Sequence, residues 1–164
     1  MTDVHYETLL AWPLHEVTRA VRDLPWTFPR PDGEAPQPGR LSIDLSVPVG
    51  ARGSINHRAT VELGDYEPGQ DVCRVPVTIS ASRSFPTFHG TFEIRDVLAD
   101  SVLALDGSYR LPLGVAGRVS GGSGLARASL RRFFENVVET VKRDLQATAP
   151  PWRPAALPES LRDA

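Results

Sequence analysis

Apolar and polar residues alternate along most of the first two thirds of the chain. The alternation is clearest in residues 41–49, and similar runs cover residues 4–10, 59–63, 73–81, 91–95 and 103–111. A period of two is typical of β-strands that bury one face. Short turns rich in glycine and proline separate the runs, whereas parallel pairing would need crossovers of about a dozen residues. The pattern therefore predicts an antiparallel meander of about six strands.

Within residues 73–81, Pro76 has no N–H to donate to a neighbouring strand. This predicts that its strand lies near an edge of the sheet or has a bulge.

Two segments have apolar residues at the helical spacing of three and four instead. Residues 14–24 predict a short helix after the first strand, which Pro25 ends. Residues from about 125 to 147 predict one long amphipathic helix. A glycine-rich stretch, residues 120–124, precedes this helix. We therefore expect the helix to begin only after these glycines.

The widths of these elements decide how they can pack. Six strands at about 4.8 Å each make a sheet roughly 25 Å wide, whereas a helix with its side chains is about 10–12 Å across. One helix cannot cover such a sheet if it is flat, so the sheet must curl around the helix and tends to leave an apolar space. The alternative is that large side chains fill that space, among them Phe88, Phe92, Phe133 and Phe134.

Three stretches carry a resemblance to a known family. They are residues 41–64, residues 85–92, and residues 107–118 with the pattern Gly-x-Tyr-x-x-Pro-Leu-Gly-x-x-Gly-Arg. Together with the order of the elements, they resemble the START / Bet v 1-like (SRPBCC) superfamily in its bacterial polyketide cyclase/dehydrase-like branch. The resemblance implies an α+β helix-grip fold, in which a curved antiparallel sheet of about six strands wraps around a long C-terminal helix. The sequence departs from the usual pattern at residues 120–124, where glycines replace the residues that commonly start the helix.

The domain organisation follows from the length and from the distribution of proline. A chain of 164 residues suits one domain. We expect a single helix-grip domain over residues 1–148 and a proline-rich tail over residues 149–164 that includes Trp152.

The sequence pattern and the resemblance together leave three functions open. The first is binding or carriage of a small hydrophobic or amphipathic, lipid-like ligand in a cavity between the sheet and the C-terminal helix. The second is an enzyme of the polyketide cyclase, aromatase or dehydratase kind, and the third is a protein-interaction module that uses a strand edge or the tail. Non-catalytic binding is favoured because the inward faces contain few ionisable groups. The expected ligand-binding residues are Phe88, Phe92, Leu105, Tyr109, Phe133, Phe134 and Val137.

The enzyme alternative has two candidate catalytic residues, His89 and Tyr109. His89 follows Phe88 and would act as a general base if it pointed into the cavity. Tyr109 shares its strand face with Leu105, so we expect it to point toward the core. Catalysis by this pair requires both side chains in one cavity. The alternative for His89 is a water-exposed histidine near the start of a strand.

Composition excludes several other classes. The chain has 18 basic and 20 acidic residues and a net charge of −2, which does not suit a dedicated nucleic-acid binder. With one cysteine, Cys73, and no closely spaced histidine pair, we expect no metal, and we expect no cofactor. Neither a Gly-Lys-Ser/Thr phosphate loop nor a Gly-x-Ser-x-Gly elbow occurs. The N-terminal residues lack a signal-peptide pattern and no apolar run approaches about 20 residues, so we expect a cytoplasmic protein without membrane insertion.

Overall fold

The computed structural model describes residues 1–31, 33–49, 53–81, 86–110 and 122–150. Most of the predicted tail, with Trp152, lies outside the described residues, as do residues 111–121, which hold much of the third stretch of the resemblance. The described residues form, in chain order, β1 (Thr2–Leu10), α1 (Leu14–Arg22), α2 (Leu24–Thr27), β2 (Arg40–Val49), β3 (Gly53–Leu63), β4 (Val72–Ser80), β5 (Thr87–Val97), β6 (Asp100–Arg110) and α3 (Gly122–Thr148).

The six strands form one antiparallel sheet in the order β1-β6-β5-β4-β3-β2. Strands β2 to β6 are neighbours in chain order, and β1 pairs with β6 at the far edge. The register sets Phe88 opposite Tyr109 and Phe92 opposite Leu105. These residues are buried, whereas the polar positions between them face outward, as alternation requires. The predicted meander is confirmed.

The long helix α3 closes the curled sheet. It contacts both edge strands, β1 and β2, and α1 and α2 also pack against it. The two edges of a six-stranded sheet can reach one helix only if the sheet bends around it. The curved sheet, the long C-terminal helix and the short helix after the first strand agree with the predicted α+β helix-grip fold. Among the described residues, no helix combines the length and the apolar character that crossing a bilayer requires.

Aromatic rings fill much of the space between the sheet and α3. The rings of Phe92 and Phe133 have centroids 6.2 Å apart, and those of Phe28 and Phe133 are 6.3 Å apart. Phe88 and Tyr109 are among the largest fully buried side chains. Because each fully buried large apolar side chain contributes about 1.5–3 kcal/mol, this layer is a main source of stability.

Two facing glycines allow a close approach within the sheet. Gly90 of β5 and Gly107 of β6 are register partners. A Cβ atom at Gly107 would lie 2.5 Å from the Phe88 ring and 2.5 Å from the Cα atom of Gly90. The Phe88 ring therefore lies directly over the pair, in space that any side chain there would occupy.

Three local expectations are corrected. Pro25 does not end the first helix: α1 ends at Arg22, and Pro25 lies in the first turn of α2, where a missing N–H costs little. The long helix begins at Gly122 and not near residue 125, so glycines 122 and 124 belong to its first turn.

The third correction concerns Pro76. Its strand, β4, lies between β5 and β3 and is not an edge strand. The pairing of β3 with β4 stops at Leu63 opposite Val77, and the Gly64 N–H then donates to the Pro76 carbonyl at 2.8 Å. Pro76 accepts this bond but has no N–H to donate back to the Gly64 carbonyl, so the β3–β4 ladder ends at this position.

Candidate functional site

A groove runs between the edge strand β1 and the helix α3. Its volume is about 570 Å³, within the range of roughly 300–1,000 Å³ that is usual for small-molecule sites. Both walls come from elements that are distant in sequence, because β1 opens the chain and α3 follows the last strand. The groove is lined by His5, Tyr6, Glu7, Thr8, Arg131, Phe134, Glu135, Val138 and Glu139.

Two stacked aromatic rings form the apolar part of the groove. The rings of Tyr6 and Phe134 have centroids 5.9 Å apart and an interplanar angle of 24°. The Tyr6 hydroxyl donates to the main-chain carbonyl of Arg127 at 2.9 Å, which ties β1 to α3 and leaves the ring face beside the groove. Burial is the largest cause that raises the pKa of Tyr6 above its ordinary value. Tyr6 therefore acts here as a neutral hydrogen-bond donor.

Charged side chains surround this apolar part. His5 contacts the Asp106 carboxylate through Nδ1, and its Nε2 lies 3.4 Å from Glu7 Oε2. The hydrogen bond to Asp106 is the largest cause that raises the pKa of His5, and the charges of Asp106 and Glu7 add to it. On α3, Arg131 Nε donates to Glu135 at 3.1 Å. These side chains are about half exposed or more, so salt screens the interactions.

The arrangement suits a molecule with two kinds of surface. The rings of Tyr6 and Phe134, with Val138, provide apolar contact, and the side chains at the rim provide hydrogen bonds and charge. Ligand sites of this kind combine apolar walls with a few polar groups that orient the ligand. The described residues include no group of three or more His, Cys, Asp or Glu placed to hold a metal ion.

All of the predicted ligand-binding residues lie between the sheet and α3, and each is at most 5% exposed. Only Phe134 lines the groove. The other six form the packed layer behind it: Phe88, Phe92, Leu105, Tyr109, Phe133 and Val137. The structure thus brings the predicted set together in space, and their contact with a ligand stays a prediction.

The two candidate catalytic residues do not meet. Phe88 is the register partner of Tyr109, and both are buried on the inner face. His89 is the next residue along β5, so it points to the opposite face, where it is exposed and its Nδ1 lies 3.4 Å from Thr78 Oγ1. The requirement that His89 and Tyr109 share one cavity is therefore not met, and His89 is the water-exposed histidine of the alternative interpretation.

Sequence reasoning missed most of the groove. His5, Tyr6, Arg131, Glu135 and Val138 were not expected at a site, although they line this one. One signal was present: Tyr6 lies on the inward-facing side of the first predicted strand, where a hydroxyl needs a partner. That the partner is on the distant helix α3 could be seen only in the folded structure.

Comparisons with known proteins agree on the fold. No protein-family model matches the chain, and no curated protein matches it. A conserved protein from Geobacillus kaustophilus aligns with a TM-score of 0.57 and 16% identity, covering 87% of this chain and 97% of that one. The Zhui aromatase/cyclase from Streptomyces sp. R1128 aligns with a TM-score of 0.53 and 19% identity over 90% and 96% of the two chains. A START superfamily protein from Mycobacterium smegmatis gives 0.53 and 14% over 90% and 99%.

The chain therefore has the helix-grip fold of START-like proteins, as the resemblance in its sequence implied. Sequence identities of 14–19% to these structures establish the fold, and functions differ widely among proteins that share a fold.

Proposed function

We propose that this chain binds and carries a small amphipathic or hydrophobic ligand between its curved sheet and its C-terminal helix. The observation behind this proposal is the groove between β1 and α3, which is about 570 Å³ in volume. It combines stacked aromatic rings with a charged rim. With one cysteine in the chain, the compartment we propose for this carriage is the cytoplasm.

The expected affinity follows from the apolar part of the groove. A ligand that covers this part buries about 100 Å² of apolar surface in total and gains roughly 2.5 kcal/mol at about 25 cal/mol per Å². Association costs at least about 4 kcal/mol in lost freedom of motion. Polar contacts with the rim must therefore supply much of the net affinity, which favours an amphipathic ligand over a purely apolar one.

The six predicted residues behind the groove would support the ligand and not surround it. Phe134 belongs to both regions, because it lines the groove and is 5% exposed within the buried core. In this proposal, the layer of Phe88, Phe92 and Phe133 fixes the position of the Phe134 ring, and the ligand contacts that ring from the groove side.

The test is native mass spectrometry of freshly purified protein, followed by binding of N-phenyl-1-naphthylamine, a neutral aromatic dye that lacks an anionic group. Val138→Trp should fill the groove, because Val138 is a partly buried lining residue. The matched control is Val97→Trp, since Val97 lies at the turn between β5 and β6 and is 43% exposed.

We expect Val138→Trp to weaken binding of the dye about tenfold, or about 1.4 kcal/mol, and to abolish any co-purified mass. Val97→Trp should change neither. Equal binding by wild type and Val138→Trp, with equal melting temperatures, would remove the groove from the proposal.

An enzyme of the cyclase or dehydratase kind is the second candidate, and one observation favours it. His5 lines the groove and contacts two carboxylates, Asp106 and Glu7. A histidine held by a carboxylate can serve as a general acid or base. If a co-purified ligand changes mass on incubation with wild type but not with His5→Gln, this candidate gains support. A ligand recovered unchanged from both proteins supports carriage alone.

A further inference from the structure

A second cleft lies on the other flank of α3, toward β2. It has a volume of about 300 Å³ and is bordered by the segment that follows α2, by β2 and by α3. Glu139 borders both this cleft and the groove, so the two sites lie on adjacent faces of the same helix. The lining residues are Phe28, Pro29, Arg30, Pro31, Asp44, Asn136, Glu139, Thr140 and Arg143.

Two arginines line this cleft. Arg30 and Arg143 are exposed, and within the part of the chain that the structure describes neither forms an ion pair. Of the two carboxylates at the border, Asp44 accepts from Arg58 Nε at 3.2 Å. Glu139 forms no ion pair among these residues, although it lies one helical turn before Arg143, and the two guanidinium groups outweigh its single charge.

Neutral hydrogen-bonding groups lie along the same wall. Asn136, Thr140 and Arg143 are separated by four and three residues, which places them on one face of α3. Thr140 is only 2% exposed although it borders the cleft. An amide, a hydroxyl and two guanidinium groups are the donors that bind carboxylate and phosphate oxygens in proteins.

The segment after α2 forms the opposite wall, which is apolar except for Arg30. Phe28, Pro29 and Pro31 border the cleft, and Phe28 is mostly buried against Phe133. Proline side chains are rigid and have no N–H to satisfy, so they provide fixed apolar contact. The cleft thus has one arginine on each side, Arg143 on α3 and Arg30 on the segment after α2, and its apolar surface lies beside Arg30.

We propose that this cleft binds a small organic anion, in which a carboxylate or phosphate group on an apolar body contacts Arg30 and Arg143. The body packs against the wall formed by Phe28 and the two prolines. This site is separate from the groove, and its test does not depend on the ligand proposed for the groove.

The experiment is a two-dimensional ¹H–¹⁵N NMR titration of the full chain with benzoate, with phenyl phosphate, and with benzamide as a neutral molecule of the same shape. Saturable shifts of the amides of residues 136–143 are expected for at least one anion, and they should weaken as salt is added. The tighter of the two anions identifies the headgroup. Binding of benzamide as tight as that of benzoate, or an absence of saturable shifts with both anions, would overturn the proposal.

Substitutions then test the arginines directly. Arg143→Gln and Arg30→Gln should each weaken anion binding about tenfold, because each removes a charge-assisted hydrogen bond. Arg143→Lys should lose less affinity for the anion, since lysine keeps the positive charge but lacks the planar guanidinium that can donate two parallel hydrogen bonds. The matched control is Arg127→Gln, an exposed position nearer the start of α3 that does not line the cleft. An equal loss in Arg127→Gln would contradict the assignment, and so would full affinity in both cleft variants.

Discussion

Replacing Gly107 by alanine tests whether the close approach of β5, β6 and the Phe88 ring holds the sheet in its observed form. The new Cβ atom would lie 2.5 Å from the Gly90 Cα atom and 2.5 Å from Phe88 Cζ, and it would also contact the His89 carbonyl oxygen. Backbone atoms of a paired strand cannot rotate away, and the Phe88 side chain is fully buried. The strands must therefore separate or the core must expand.

The expected cost has two parts. Overpacking a dense core costs about 1–3 kcal/mol, and weakening one ladder hydrogen bond adds about 1 kcal/mol. We expect Gly107→Ala to lower the free energy of unfolding by about 3 kcal/mol. At roughly 2–4 °C per kcal/mol for a domain of this size, the melting temperature should fall by about 6–12 °C.

Urea unfolding followed by far-ultraviolet circular dichroism measures this difference, and Gly124→Ala is the matched control. A Cβ atom at Gly124 meets nothing within 4 Å, and alanine is favoured over glycine in a helix by up to about 1 kcal/mol. The control should therefore be as stable as wild type or more stable. If Gly107→Ala unfolds within about 0.5 kcal/mol of wild type, the sheet tolerates the side chain and the reasoning fails.

Three further substitutions test other contacts. His5→Gln removes the hydrogen bond to Asp106 that raises the pKa of His5 above its ordinary value of 6.5. Wild type should therefore be more stable than His5→Gln below about pH 6.5, as long as Asp106 stays ionised. This difference should disappear as the pH rises through the pKa of His5 in the folded protein. A difference in melting temperature that does not depend on pH would contradict this prediction. Arg19→Gln should lower the free energy of unfolding by about 1 kcal/mol, because an Arg19 guanidinium nitrogen on α1 lies 3.0 Å from the Asp144 carboxylate on α3. The same substitution should cost less in a protein that already carries Asp144→Asn. Ser101→Ala should lower the free energy of unfolding in urea by about 1–3 kcal/mol, because the buried Ser101 hydroxyl donates at 2.8 Å to the main-chain carbonyl of Trp12 between β1 and α1. A loss below about 0.5 kcal/mol would show that this carbonyl finds another partner.

The alternation of apolar and polar residues in β5 was enough to predict the orientation of His89. Alternation along β5 places Phe88 and Phe92 on the inner face, and the same rule places His89 on the outer face. Pairing His89 with Tyr109 required His89 to point inward like its neighbour Phe88, and in the structure it points outward.

The candidate groove could not be found in the same way. Its hydrogen bond from Tyr6 to Arg127 spans 121 positions of the chain, and the contact of His5 with Asp106 spans 101. Local periodicity indicates which face of a strand is buried, but it does not indicate which distant element covers that face. The prediction for Pro76 was wrong for a similar reason, because only the pairing of distant strands decides that β4 lies between β5 and β3.

The order of strands and helices, their inward faces and the need for the sheet to curl could therefore be predicted from the amino-acid sequence, because backbone periodicity and the widths of strands and helices are local quantities. The tertiary structure alone decided that both sheet edges meet α3, and that one flank forms a groove and the other a cleft with two arginines. These sites depend on how far the sheet curves and on which side chains meet across its edges, and both depend on packing among residues more than 100 positions apart.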